Sequence, residues 1–142
     1  MRVSTKFPIA VHIMLMVAGF PELKITSDVL SESVGCNPVI IRNLFAKLGV
    51  AGLLHTKSGK GKTTLARPAE TITLWDIYTA VESDATDELF KLHQNTSKTC
   101  VVGSNIHTLL MPHLSDAVEA MKNSLSKVTL EDLKIELYKK IE

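Results

Sequence analysis

The sequence predicts a mainly α-helical fold with one small β-hairpin, and three observations indicate this class. Apolar residues recur at helical spacing over most of the chain, and one glycine-rich connection lies between two short strand-like segments. Hydrophobic residues make up 45% of the sequence and aromatic residues only 5%. With 142 residues the chain is long enough for one domain with a sizeable core, which leucine, valine and isoleucine would fill.

Two helices are predicted in the first 34 residues. The first begins at Pro8, whose fixed φ suits the first helical turn, and ends before Gly19, which can adopt the left-handed conformation. This helix is apolar on nearly every side, so we expect it to be buried. Thr26 is a typical N-cap for a second helix, 27–34, and Gly35 ends that helix. The second helix would direct three residues inward: Val29, Leu30 and Val34.

A third helix follows directly and has a sharply defined start. Asn37 is a second N-cap, Pro38 suits the first helical position, and the helix runs through Leu48 to a terminating Gly49. Two short capped helices joined by a glycine turn are typical of a helix-turn-helix, whose second helix reads base edges in the DNA major groove. The apolar face consists of Ile41, Leu44, Phe45 and Leu48, with Lys47 nearer the outside. The candidate base-reading residues are Asn37, Val39, Arg42 and Asn43.

The next segment predicts a β-hairpin with a basic tip. Residues 53–57 and 63–67 are strand-like and flank a glycine-rich connection that carries Lys57, Lys60 and Lys62, an arrangement suited to a phosphate backbone. Residues 1–67 contain nine Lys or Arg and three acids, a formal charge of +6, whereas residues 68–142 contain seven and twelve, a charge of −5. The basic half is therefore the candidate polyanion-binding half.

The second half of the chain predicts three more helices. Thr73 and Asp76 form a capping box for a helix over 74–82, and Thr129 with Asp132 repeats this signal for a last helix over 130–141. Between them, 83–103 is polar and loop-like. A long helix then starts at Ser104 or Asn105, with a bend expected at Pro112. Its apolar stripe indicates packing against a partner helix and consists of Ile106, Leu110, Leu114, Ala117, Met121 and Leu125.

Other chemistry is weakly supported. The tripeptide Gly61-Lys62-Thr63 resembles the end of a phosphate-binding loop, but that motif requires a glycine where Thr56 stands and a helix where Leu65 to Pro68 is extended. The five histidines are scattered, and Cys100 with His107 is an isolated pair, so we expect no metal site. The sequence thus predicts no catalytic residues and no enzyme.

The two cysteines form no disulfide framework. Cys36 precedes a helix N-terminus, which can lower a thiol pKa, so it is either a reactive thiol or a small buried turn residue. Cys100 lies in the polar loop and is either a thiol sensor or structural. The longest apolar run, 9–20, is interrupted by His12 and falls short of a membrane span. No secretory signal is recognisable, so we expect a cytoplasmic protein without a membrane partner.

Four segments in order resemble the Rrf2 family of bacterial transcription regulators. They are 1–6 (MRVSTK), 35–54, which includes Ala51-Gly52-Leu53-Leu54, 65–74, which includes Leu65-Ala66-Arg67-Pro68, and 100–106 (CVVGSNI). The resemblance implies a winged helix-turn-helix domain over 1–82, a loop and possible effector region over 83–103, and dimerisation helices over 104–142. It also implies a homodimeric, DNA-binding repressor with an effector that the sequence does not name. The resemblance adds five residues near the DNA backbone: Arg2, Ser4, Lys6, Thr26 and Ser27.

Three departures from the family pattern qualify this resemblance. Cluster-binding members carry three cysteines between the wing helix and the dimer helix, where this chain has only Cys100, so we expect no iron–sulfur cluster and no other cofactor. Ser58 stands where the wing often presents an arginine, so Lys57 or Lys60 would substitute for it. Leu30 replaces a common alanine and indicates altered helix packing. An alternative is a winged-helix protein that binds another protein instead of DNA.

Overall fold

The computed structural model describes residues 4–56, 62–82, 90 and 92–142. Within these ranges six helices accompany one two-stranded antiparallel sheet, so the predicted class is confirmed. The helices are α1 (Lys6–Gly19), α2 (Ser27–Val34), α3 (Pro38–Val50), α4 (Leu74–Val81), α5 (Val101–Leu125) and α6 (Leu130–Ile141). The strands are β1 (Leu54–His55) and β2 (Thr64–Leu65), and a 3₁₀ turn spans Ala69–Thr71.

The core lies where α1, α2, α3 and α4 meet, and the hairpin closes it. In the hairpin Leu54 pairs with Leu65 and His55 with Thr64, a shorter ladder than the predicted strands over 53–57 and 63–67. The start of α6 is joined to the start of α4 because the Leu130 N–H donates to the Ile72 carbonyl at 2.8 Å. The fully buried aliphatic residues include Ala10, Ile13, Met14, Leu30, Ile41, Leu48, Ile77 and Leu130.

The predicted polar N-caps are confirmed by their hydrogen bonds. Thr26 Oγ1 accepts the Val29 N–H at 3.2 Å at the start of α2. The capping box of α4 is complete, since Thr73 Oγ1 accepts the Asp76 N–H at 3.1 Å and Asp76 Oδ2 accepts the Thr73 N–H at 3.0 Å. The α6 box, formed by the second predicted Thr and Asp pair, is also complete. Each cap satisfies backbone donors that the first helical turn leaves without partners.

Two glycine-based helix ends were predicted wrongly. Helix α1 begins at Lys6 and includes Gly19, whose backbone is helical and whose carbonyl accepts the Tyr138 hydroxyl at 2.6 Å. Gly19 is buried beside Leu137 of α6 and does not form the predicted left-handed turn. Helix α3 passes Gly49 and runs to Val50, and the left-handed residue that follows it is Gly52, with φ 76°.

Helix α5 begins three residues earlier than expected, at Val101, so the end of the predicted loop 83–103 is helical. Gly103 permits this start. A Cβ there would lie 2.7 Å from the Ser97 carbonyl oxygen, so only glycine lets the preceding turn fold back on the helix. The helix continues through Pro112, and none of its 25 residues is fully buried.

Two burial predictions were also wrong. Helix α1 is not enclosed on every side, because its outer face lines an apolar groove of about 390 Å³ with Leu137 of α6. The groove residues on and after α1 are Pro8, Val11, His12, Leu15, Met16 and Phe20. In α2, Val29 is 42% exposed, whereas Leu30 is fully buried and Val34 packs at the core edge. No helix in the described part of the chain has the length and apolarity needed to cross a membrane.

Candidate nucleic-acid interface

The turn between α2 and α3 is held by a single serine. The Ser31 carbonyl accepts the N–H groups of Gly35, at 2.9 Å, and Cys36, at 3.2 Å. The Ser31 hydroxyl also donates to the Cys36 carbonyl. Gly35 adopts φ 79°, which turns the chain sharply out of α2. These bonds fix the direction in which α3 starts, a role of Ser31 that the sequence pattern did not reveal.

The start of α3 is capped as predicted. Asn37 Oδ1 accepts the Val39 N–H at 2.8 Å, and Pro38 occupies the first helical turn, where a missing N–H costs nothing. The cap turns the carbonyl oxygen of the Asn37 side chain toward the backbone of the first helical turn, so this candidate base reader is held in one orientation.

One face of α3 is anchored in the core and the other lies open. Ile41, Leu44 and Leu48 are buried, and Phe45 packs against the same cluster. The outward face predicted from the sequence is confirmed, because Asn37, Val39, Arg42, Asn43 and Lys47 are all exposed. Ile40 is exposed as well, at 42%, although the sequence pattern gave it no role. Because the buried face fixes the rotation of α3 about its axis, it also fixes which side chains lie on the outer face.

Two other predicted contact points also lie at helix starts. At α2, Thr26 Oγ1 accepts a backbone N–H but keeps its own hydroxyl hydrogen, and Ser27 beside it is half-buried. At α1, Lys6 is exposed in the first turn, whereas the Ser4 hydroxyl donates to the Glu82 carboxylate. Ser4 is thus engaged by an acidic partner in this arrangement. Arg2, also predicted near the DNA backbone, lies outside the described residues.

The base of the hairpin packs beside α3, and most of the predicted basic tip lies outside the described residues. Leu53 and Leu54 are buried beside α3. Lys62 is exposed two residues before the start of β2. The remaining tip candidates, which lie outside the described residues, are Lys57, Ser58 and Lys60.

Not every positive charge of the basic half is available to a polyanion. The Arg67 guanidinium donates to Asp76 Oδ2 at 2.6 Å and to the Thr71 carbonyl at 3.2 Å. This arginine therefore joins the chain after β2 to the α4 capping box and serves the fold. Among the described residues, the exposed cations of the predicted contact set are Lys6, Arg42 and Lys62, whereas Lys47 on the outer face of α3 donates to the Val81 carbonyl oxygen at 3.5 Å.

The two cysteines lie in different surroundings. Cys36 is half-buried and packs against the core, which favours a structural turn residue. Cys100 is exposed directly before α5, where the backbone N–H groups of Gly103 and Val102 lower the pKa of its thiol. His107 Nε2 lies 2.8 Å from the His93 carbonyl oxygen. No group of three or more His, Cys, Asp or Glu residues in the described ranges is placed to hold a metal ion.

A phosphate-binding loop is incompatible with this hairpin. Such a loop requires a helix directly after its lysine, whereas Thr64–Leu65 is a β-strand. A capped second helix with an open outer face, followed by a two-stranded hairpin, defines instead a winged helix-turn-helix protein, the class whose members place this helix in the major groove of DNA.

The comparisons with known proteins agree with this class. The model of the Rrf2 family, described as an iron-dependent transcriptional regulator, matches residues 3–136, and the chain belongs to this family. YwnA of Bacillus subtilis (strain 168), which carries the name of an HTH-type transcriptional regulator, is 28% identical over 136 residues. That alignment covers 96% of this chain and 99% of YwnA.

Two solved structures show the same fold. A protein from Lactobacillus plantarum described as a transcriptional regulator superposes with a TM-score of 0.79 at 25% identity, covering 94% of this chain and 90% of the other. CymR, described as the global cysteine regulator of B. subtilis, superposes with a TM-score of 0.67 at 21% identity, covering 94% and 96%. The protein is therefore a DNA-binding transcriptional regulator, and the prediction that it is not an enzyme is confirmed.

Proposed function

We propose that the protein is a homodimeric repressor that recognises a two-fold symmetric DNA site. The observation that carries this proposal is the open outer face of α3. Residues 37–50 contain no acid, and the exposed Arg42 and Lys47 lie on the same helix as the candidate base readers. A duplex in contact with this face meets positive charge and no acidic side chain of α3. A dimer that covers two successive major grooves represses because it excludes other proteins from them.

The exposure of α5 within its own chain supports dimerisation. A helix of 25 residues is about 37 Å long at 1.5 Å per residue, yet none of its residues is fully buried within its own chain. Leu109, outside the predicted stripe, is 62% exposed. Within the stripe, Leu110 and Ala117 are exposed, and Ile106, Leu114, Met121 and Leu125 are half-buried. A second copy of α5 would remove this apolar surface from water.

An iron–sulfur cluster of the three-cysteine type does not fit this chain. The whole sequence holds two cysteines, and Cys36 packs against the core at the α2–α3 turn, apart in sequence from Cys100 at the start of α5. The donor set that such a cluster needs is therefore incomplete. We propose that the regulator works without this cofactor, although its family is described as iron-dependent.

The exposed Cys100 supports a narrower proposal, a thiol-based response to oxidants or electrophiles. Its thiol lies directly before the helix that would form the dimer, so a modification there would act next to the subunit contact. If DNA affinity responds to mild peroxide in the parent chain and in a Cys36→Ser variant but not in Cys100→Ser, the proposal stands. An unchanged response in Cys100→Ser would reject it.

Since the target is the bacterial chromosome, we place the protein in the cytoplasm.

The main experiment selects binding sites from random double-stranded DNA at two salt concentrations. We expect enrichment of a two-fold symmetric site whose half-sites lie about one helical turn apart, with affinity that falls as salt rises. Arg42→Glu should weaken binding and reduce the salt dependence. Lys140→Glu, the same charge change on the exposed end of α6, is the matched control and should change little.

A protein-binding role is the second candidate, with the basic face left in solvent. It predicts no enriched sequence and no difference between the Arg42→Glu and Lys140→Glu variants. Leu110→Glu, on the exposed side of α5, tests the dimer separately. Sedimentation should show a monomer for this variant and a dimer for the parent. A dimer in both would exclude α5 as the subunit contact.

A further inference from the structure

The outermost line of side chains on α3 is largely aliphatic. Residues at positions i, i+4, i+7 and i+11 lie along one ridge of a helix, opposite the buried face. Val39 on this ridge is 53% exposed, and Val50 is 92% exposed. The ridge, which we call the outer ridge, consists of Val39, Asn43, Ala46 and Val50, and all four residues are exposed.

An aliphatic ridge on the solvent face of a DNA-binding helix indicates what the helix reads. In the major groove the thymine 5-methyl is the apolar group on a base edge, and short aliphatic side chains recognise it. Arg42 flanks the ridge on one side and suits a phosphate, whereas Lys47 on the other side donates to the Val81 carbonyl oxygen at 3.5 Å. The combination of an apolar centre and a cationic flank matches the chemistry of an A·T-containing major groove.

The N-cap bond of α3 distinguishes Asn37 from Asn43 as the residue that reads a base beside Val39. Adenine recognition by asparagine needs both a donor and an acceptor from one side-chain amide. The Asn37 Oδ1 faces the Val39 N–H at 2.8 Å, so this amide is oriented for the cap and cannot turn freely to present both of its groups to a base. Asn43 lies one turn beyond Val39, on the same ridge, and takes no part in the cap. Asn43 is therefore the residue whose amide suits an adenine edge.

We propose that Val39 packs against a thymine 5-methyl group and that Asn43 bonds an adenine edge one or two base steps away. This proposal rests on the DNA-binding role and assigns the bases that α3 reads. Side chains at i and i+4 have Cβ atoms about 5–6 Å apart. Base pairs stack about 3.4 Å apart, so the two contacts span one or two steps. Each half-site thus contains a thymine and an adenine at this spacing.

The test removes single methyl groups from the DNA. In the site enriched from random pools, each thymine is replaced in turn by uracil, which differs only by the 5-methyl, and Kd is measured by fluorescence anisotropy. At one position in each half-site the parent protein should bind about fourfold more weakly per methyl lost, the value for about 0.8 kcal/mol at 1.4 kcal/mol per tenfold. The Val39→Ala variant, which lacks both γ-methyl groups, should show a clearly smaller difference between the two DNAs at that position.

Val29→Ala is the matched control. It shortens an exposed valine of α2, off the α3 ridge, and should leave the uracil effect intact. Val39→Ser, which also removes both γ-methyl groups, serves as a second variant if Val39→Ala does not fold and should likewise reduce the uracil effect. Asn43→Ala should lose its preference for adenine at the neighbouring position and keep the response to uracil.

Two results would overturn the proposal while leaving the DNA-binding role in place. The first is selective binding in which no uracil replacement changes the affinity of the parent protein. The second is a uracil effect of equal size in the parent and in Val39→Ala. If instead no DNA sequence is enriched at all, the proposed sequence-specific function fails, and the base assignment fails with it.

Discussion

The end of α3 provides a sharp test of the structure, because two glycines near it should respond oppositely to alanine. Gly49 is helical, and a Cβ added there would have its nearest contact at 3.9 Å, with the Leu54 carbonyl oxygen. This is an ordinary van der Waals distance. Alanine is favoured over glycine inside a helix by about 0.5–1 kcal/mol, so Gly49→Ala should stabilise the protein by about that amount.

Gly52→Ala should have the opposite sign. Gly52 adopts φ 76°, and nothing lies within 4 Å of a Cβ placed there, so the cost is conformational alone. An L-residue in the left-handed region costs about 1–2 kcal/mol. For a chain of this size 1 kcal/mol shifts Tm by about 4 °C, so Gly49→Ala should raise Tm by about 2–4 °C and Gly52→Ala should lower it by about 4–8 °C.

The assay is thermal melting by circular dichroism at one protein concentration, with urea titration to confirm that the free energy of unfolding changes in the same direction. Equal concentrations are essential because the proposed dimer would make Tm depend on concentration. A Gly49→Ala variant that is destabilised by 1 kcal/mol or more would refute the reasoning. It would place the helix end at Gly49, where the sequence pattern alone had put it.

Three further predictions concern the other helix starts. Asp76→Ala removes both a cap bond and the Arg67 ion pair, so it should lower the free energy of unfolding by about 1.5 kcal/mol. Asp132→Ala removes only a cap bond and should lower it by about 1 kcal/mol. Equal losses in urea titrations would show that the ion pair adds nothing. Gly103→Ala forces a backbone shift and should lower the free energy of unfolding by about 1–3 kcal/mol. Hydrogen exchange at the Cys100 N–H should become faster, and unchanged exchange would contradict this. Because backbone N–H groups lower the pKa of the Cys100 thiol, iodoacetamide should label it at lower pH in the folded chain than in urea, as read by mass spectrometry, and coincident profiles would oppose this cause.

The features of the fold that depend on local chemistry were predictable from the sequence. Thr26, Asn37 and the two Thr and Asp capping boxes were identified because a cap bond joins residues only two or three positions apart. The glycine ends were harder. Gly19 and Gly49 both have helical backbones, and at Gly19 the helix end meets a distant part of the chain, since its carbonyl accepts the Tyr138 hydroxyl.

In the candidate interface, too, some features could be predicted from local sequence patterns and others could not. The outward positions of α3 could be predicted from helical periodicity, since the buried face of Ile41, Leu44 and Leu48 fixes its rotation. The role of Ser31 depends on the geometry of a turn and has no pattern of its own. The early start of α5 depends on the fit between Gly103 and Ser97, six residues apart, which a hydrophobic pattern does not report.

The central claim is that two copies of this chain bind one DNA site through their α3 helices. The most direct measurement is the stoichiometry of the complex with the enriched site, by native mass spectrometry or sedimentation equilibrium, alongside a duplex that carries only one half-site. We expect two chains per full site and much weaker binding to the half-site. One chain per full site, with equal affinity for the half-site, would contradict the account.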